Sequence, residues 1–167
     1  MAGVRDLIDD LLRAEKTLGG TPDWKPVGDR GEFRQLIPLL INGVATSAHV
    51  ELNAYPYIID ELRFRIMILA PKCIWRVDYV TDEQHLNPLD APPGAPVGLF
   101  AEPHYHAWED NRQFATAAAL PDRLPVARIF EPRIRQFDAT FRWFCGMTNI
   151  SQPLAGMIDL PPRTRLL

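Results

Sequence analysis

The chain has 167 residues, of which 47% are hydrophobic and 23% are charged, and its formal net charge is −3. These values exclude a disordered or fibrous chain, and they predict a single folded domain over residues 1–167. The slight excess of acidic residues argues against a nucleic-acid partner, although it leaves room for a local basic groove.

The composition also bears on the cellular compartment. No apolar run approaches the roughly 20 residues that span a bilayer. The N-terminal stretch MAGVRDLIDDLLRAEKTLGG carries acidic residues where a signal peptide has a basic flank. Cys73 and Cys145 are too few for a disulfide framework. We therefore expect a cytoplasmic protein with no membrane association.

The first element that the sequence predicts is an amphipathic helix over residues 3–18. Apolar residues recur there at helical spacing and acidic residues precede basic ones, as the helix dipole favours. Gly19 and Gly20 then provide a stop signal. The apolar positions of this helix are Val4, Leu7, Ile8, Leu11 and Leu12.

The following segments predict an antiparallel β-meander. EFRQLIPLLI (residues 32–41) is apolar and ends at Asn42-Gly43, a strong hairpin signal. Three further segments, within residues 46–57, 61–69 and 72–80, alternate between apolar and polar residues. In the last of these, the alternation places Cys73 with Trp75 on the apolar face, and Arg76 with Asp78 on the other.

A loop of 22 residues (81–102), rich in Pro, Gly and Asp, separates this meander from a short strand in HYHAW (residues 104–108). Residues 112–120 and 133–150 predict two helices, and residues 153–167 an extended tail. The whole order predicts an α+β fold with an N-terminal helix, an antiparallel β-meander, a long loop and C-terminal helices.

The stretch EPHYHAWEDNR (residues 102–112) holds the main candidates for chemistry. In an extended segment His104 and His106 point to the same side, roughly 6–7 Å apart, so both imidazoles can bind one metal ion. Histidine, carboxylate and thiolate together suit zinc best. The alternative is a pair of partly exposed histidines bonded to loop backbone. Further candidate ligands are His85, Cys73, Glu102, Glu109 and Asp78.

Catalytic roles follow from the same residues. In a metal-dependent hydrolase, Glu109 is the candidate proton shuttle. Asp78, paired with Arg76, is a candidate for orienting His85 or anchoring a phosphate; the alternative is an exposed ion pair. In a metal-free ribonuclease, His104 and His106 would act as acid and base, with Arg76 or Arg112 on the phosphate. A third hypothesis is a non-enzymatic interaction module that uses the polar sheet face.

The element order resembles that of ubiquitin-conjugating (RWD-type) folds. Taken together with four residues, it resembles the CEHH-type proteins that are encoded beside bacterial ubiquitin-like conjugation enzymes. The four residues are Cys73, Glu102, His104 and His106. The resemblance implies a metal site built from those four residues. It also implies that a ubiquitin-like protein or a conjugation enzyme is the partner. The same stretch more loosely resembles small bacterial toxin-type proteins, which would imply RNA as the substrate.

Overall fold

A computed structural model describes residues 3–20, 23–29, 31–55, 63–79, 83–130, 134, 136–151, 158 and 161. Its helices are α1 (Val4–Arg13), α2 (Trp108–Asn111) and α3 (Phe137–Met147), and a 3₁₀ turn spans Arg112–Phe114. The strands are β1 (Lys16–Leu18), β2 (Lys25–Val27), β3 (Glu32–Ile41), β4 (Val44–Tyr55), β5 (Arg63–Leu69), β6 (Cys73–Tyr79), β7 (His85–Leu86), β8 (Leu99–Phe100), β9 (His104–His106), β10 (Arg128–Ile129) and β11 (Ile150–Ser151).

One large sheet organises the molecule, with strand order β10-β9-β6-β5-β4-β3-β1-β11 and with β2 paired to β3. All of these pairs are antiparallel except β1 with β11. Strands β3 to β6 form the predicted meander, preceded by the N-terminal helix and followed by the C-terminal one. The predicted α+β fold is thus confirmed. In the described part of the chain, no helix has the length and apolar character needed to cross a membrane.

The hairpin between β3 and β4 turns at the predicted dipeptide. Ile41 pairs with Val44, and the φ angles of Asn42 and Gly43 are +51° and +77°. Positive φ at both central residues defines the tight turn whose twist matches the flanking strands. Glycine and asparagine tolerate this conformation better than other residues do.

The two faces of the sheet differ in the way that the alternation predicts. One face belongs to a core that it shares with α1 and α3, in which Trp75 packs against the rings of Tyr105, Trp143 and Phe144. The opposite face, here called the polar face, carries charged and imidazole side chains. Its members on adjacent strands are Glu51, Asn53, Arg65, Arg76, Asp78, His104 and His106.

The first helix is shorter than predicted. It ends at Arg13, and Lys16–Leu18 continue as strand β1. Lys16 is fully buried, and its Nζ donates to the carbonyls of Leu11, Leu12 and Ala14 at 2.8, 3.0 and 2.6 Å. Because a helix end leaves carbonyls without intrahelical donors, the ammonium group terminates α1 at Arg13, before the stop that the sequence predicts at Gly19 and Gly20.

The later elements also differ from prediction. In place of a helix over residues 112–120, a 3₁₀ turn ends at Phe114, and the Thr116 hydroxyl accepts from the backbone N–H of Ala119. A threonine hydroxyl that binds nearby backbone competes with helix formation. The last helix is confined to Phe137–Met147. Most of the predicted tail, residues 153–167, lies outside the described residues.

Candidate metal centre

Two histidines reach the polar face because β9 pairs with β6. In this antiparallel register His104 lies opposite Asp78, and His106 lies opposite Arg76. The third histidine comes from the long loop, where His85 in β7 pairs with Phe100 in β8. The ring centroid of His85 lies 5.2 Å from that of His104 and 4.8 Å from that of His106.

The three imidazoles form a compact group, here called the histidine cluster (His85, His104 and His106). One ligand nitrogen from each ring lies within 4.8 Å of the other two. His104 is 3% exposed and His106 is fully buried, whereas His85 is half-buried. Among the residues that the structure describes, this is the group in which three or more potential metal ligands converge.

Hydrogen bonds fix the orientation of two of the rings. His85 Nε2 lies 2.9 Å from the Pro125 carbonyl and 3.1 Å from Asn87 Oδ1, so this nitrogen carries the proton and donates. His104 Nδ1 lies 2.9 Å from the Glu102 carbonyl and donates to it. Each ring therefore keeps a lone pair on its other nitrogen. Metal-binding histidines commonly use this arrangement, in which the outer N–H is held by a carbonyl.

Asn87 fixes the segment that carries His85. Its amide nitrogen donates to the carbonyls of Pro96 and Ala127, both at 2.9 Å, and its oxygen accepts from the Ala127 N–H at 2.7 Å. The side chain is 6% exposed. One buried amide thus holds three parts of the chain together beneath the loop, which positions His85 against the sheet.

Asp78 lies beside the histidine cluster and is 1% exposed. Arg65 Nε and Arg76 Nε lie 2.8 and 2.6 Å from its two carboxylate oxygens. Its Oδ2 lies 3.5 Å from His104 Nε2 and 3.4 Å from His106 Nε2. Burial raises the pKa of this carboxyl, but the guanidinium groups of Arg76 and Arg65 hold it well below its ordinary value. The ion pair between Asp78 and Arg76 is therefore not an exposed one, which was the alternative to a functional role for Asp78.

His106 is held differently from the other two histidines. Arg76 Nη2 lies 2.8 Å from its Nε2. Because a guanidinium group only donates, Nε2 accepts, and the proton of the neutral ring is on Nδ1. Nδ1 is buried and has no hydrogen-bond partner among the described residues. Burial lowers the pKa of His106 to about 4 and lowers that of His104, so both rings are neutral, the form that binds metal.

Two predicted ligands lie outside the histidine cluster. Cys73 pairs with Leu69 across a register shift, which moves it from the predicted apolar face to the side of Arg76. Its sulfur lies 3.6 Å from the Trp75 carbonyl, and burial raises the pKa of the thiol to about 11. The Glu102 side chain is exposed and accepts from the Ala101 N–H. Glu102 contributes to the site only through its backbone carbonyl, which accepts the hydrogen bond from His104 Nδ1.

Two predicted catalytic residues lie beside helix α1, and one of them, Arg112, contacts it. Arg112 Nε donates to the Asp9 carboxylate at 2.9 Å, and Trp108 Nε1 donates to the same group at 2.7 Å. Glu109 is exposed and, with Arg112, lines a surface cavity of about 360 Å³. The histidine cluster is not part of this cavity lining. The structure therefore brings Asp78 to the histidines and places Glu109 and Arg112 beside α1.

The residues that sequence reasoning missed are those that hold the ligands. The sequence pattern gives neither Arg65 nor Asn87 a role in a metal site. The only signal for Asn87 was its position two residues after His85. Comparisons with protein-family models, curated proteins and solved structures found no match to this chain. The fold and the site together define an α+β protein in which two buried histidines and one half-buried histidine lie beside a buried carboxylate.

Proposed function

We propose that this protein binds one divalent transition-metal ion, most favourably zinc, through His85, His104 and His106. The convergence of three imidazole nitrogens within 4.8 Å supports this proposal. Nitrogens on a tetrahedral zinc ion lie roughly 3.4 Å apart, given Zn–N distances of about 2.0–2.1 Å. The ligand nitrogens would therefore need to approach one another by at most about 1.4 Å. Two of them already have the outer N–H held by a carbonyl.

Asp78 is the candidate fourth ligand. Its Oδ2 is within 3.5 Å of the Nε2 atoms of both His104 and His106. Three nitrogens and one carboxylate oxygen favour zinc and its transition-metal neighbours over magnesium or calcium, which prefer oxygen ligands. Cys73 is not part of the group in which potential ligand atoms converge, which supports a ligand set without thiolate.

The proposed role of the ion is structural. His104 and His106 lie on β9, and His85 lies on the long loop, so one ion bound by all three would fasten that loop to the sheet. The burial of His104, His106 and Asp78 supports a closed site, whereas a hydrolase needs an open coordination position. The hydrolase and ribonuclease alternatives remain predictions, and the positions of Glu109 and Arg112 lend them no support.

A role beside a ubiquitin-like conjugation pathway also remains a proposal. It rests on the resemblance carried by Cys73, Glu102, His104 and His106. Pull-down with purified ubiquitin-like proteins and conjugation enzymes is the direct test. Binding to none of them would leave the metal site as the whole of the proposed function.

The metal site predicts a defined stoichiometry. Purified protein dialysed against zinc should retain about one ion per chain, measured by elemental analysis. The His104→Ala/His106→Ala variant and the His85→Ala variant should each retain much less, because each loses part of the ligand set. His49, the remaining histidine of the chain, lies on β4 and is the matched control, so His49→Ala should retain the full amount. Equal metal content in all four proteins would refute the proposal.

A further inference from the structure

The lone pair on His106 Nε2 already has a partner. Arg76 Nη2 donates to it at 2.8 Å, the closest polar contact described for this ring. A neutral imidazole has one unprotonated nitrogen, and that nitrogen offers a single lone pair. A metal ion and a guanidinium N–H therefore cannot use it at the same time.

Nε2 is also the nitrogen that faces the rest of the site. It lies 3.4 Å from Asp78 Oδ2, and His104 Nε2 lies 3.5 Å from the same oxygen. The two Nε2 atoms thus converge on one carboxylate oxygen. An ion that uses His104 Nε2 and Asp78 would meet His106 through Nε2, the atom that Arg76 occupies.

We infer that Arg76 competes with the metal ion for His106 Nε2 and so sets the metal affinity of the histidine cluster. This inference rests on the proposed function. Arg76 would act in two ways, because its N–H fills the lone pair and its positive charge opposes a divalent cation. Metal binding would then require the Arg76 guanidinium to leave His106.

The partial exposure of Arg76 allows its guanidinium group to move away from His106. Its Nε lies 2.6 Å from Asp78 Oδ2, and its side chain is 30% exposed. Rotation of the whole planar guanidinium group about the Cδ–Nε bond can therefore carry Nη2 away from His106 and towards solvent. Such a movement does not leave the buried carboxylate unpaired, because Arg65 Nε stays 2.8 Å from Asp78 Oδ1.

Arg65 provides a matched control for charge. Its Nε lies 2.8 Å from Asp78 Oδ1, and its other described contact is with Glu83. Loss of Arg65 removes a positive charge from the same carboxylate but does not release the His106 lone pair. A comparison of variants at the two arginines therefore distinguishes competition for His106 Nε2 from a general electrostatic effect.

The test is competition for zinc against a chromophoric chelator, with the wild-type protein, Arg76→Met and Arg65→Met. We expect Arg76→Met to bind zinc roughly 10- to 100-fold more tightly than the wild type, the range that a hydrogen bond from a charged donor represents. Arg65→Met should change affinity much less. Equal affinities for the two variants would overturn the competition. Absence of zinc binding in all three proteins would instead refute the proposed metal site, and the inference with it.

A measurement on the wild-type protein covers the case in which Arg76→Met does not fold. Nitrogen NMR of the histidine side chains reports which ring nitrogen carries the proton. In chelator-treated protein the His106 proton should be on Nδ1, and it should stay there when zinc is added, because the ion replaces Arg76 at Nε2. A proton that moves to Nε2 on zinc addition would show that the ion uses Nδ1, and Arg76 would not compete.

Discussion

Replacement of Asp78 by asparagine should lower the free energy of unfolding by roughly 3–5 kcal/mol, the usual cost of removing one partner from a buried ion pair. Asp78 is 1% exposed and is bound by Arg65 and Arg76. Without the negative charge, two guanidinium groups would remain beside a neutral amide in a poorly hydrated site. Chemical denaturation in the presence of a chelator measures this loss apart from any contribution of metal.

Asp122 is the matched control for this substitution. It pairs with Lys72, but its side chain is 90% exposed, and water and salt screen such exposed ion pairs so that they contribute little to stability. Asp122→Asn should therefore leave stability almost unchanged. If Asp78→Asn and Asp122→Asn had equally small effects, the network around Asp78 would not stabilise the fold.

Raising the pH from 8 to 10.5 should increase the free energy of unfolding by about 3 kcal/mol through Lys16 alone. Burial lowers the pKa of Lys16 to about 8, from an ordinary value of 10.5. Between these two values the unfolded chain binds a proton that the folded chain has lost. Stability therefore rises with pH across this window, and below pH 8 the full cost of the buried charge is present.

Lys16→Met isolates this effect, because methionine keeps much of the side-chain length and does not titrate. Denaturation curves at several pH values should show a steeper rise for the wild type than for the variant. Lys25→Met, at an exposed position of β2, should follow the wild type. If the wild type and Lys16→Met had parallel pH profiles, the pKa of Lys16 would not be lowered by folding.

The parts of the fold that the sequence predicted are those with a strong local pattern. The alternation in β4 and β5 assigns Val50 and Ile66 to the core, and Asn42-Gly43 marks the turn. These features depend on near neighbours in the chain. Residues 112–120 also predict a helix, but the Thr116 hydroxyl binds backbone and only the 3₁₀ turn Arg112–Phe114 forms there.

The candidate site was predicted in part for the same reason. The spacing of His104 and His106 places both rings on one side of any strand, and the structure shows such a strand. Whether Asp78 is solvated or buried depends on the long loop that covers the polar face. An alternating sequence pattern does not show whether a loop packs on the polar side of a strand. The side on which Cys73 lies depends on the register shift opposite Leu69, for which the sequence gives no signal.

The parallel pairing of β1 with β11 has a consequence for synthesis of the chain. Lys16 lies opposite Ile150, so a strand made early is completed by one made more than 130 residues later. While the ribosome is still translating the segment between them, β1 can pair with β3 but keeps one bare edge. An unpaired strand edge is a template for association with other chains. We therefore expect the nascent protein to be most prone to aggregation just before Ile150–Ser151 emerge.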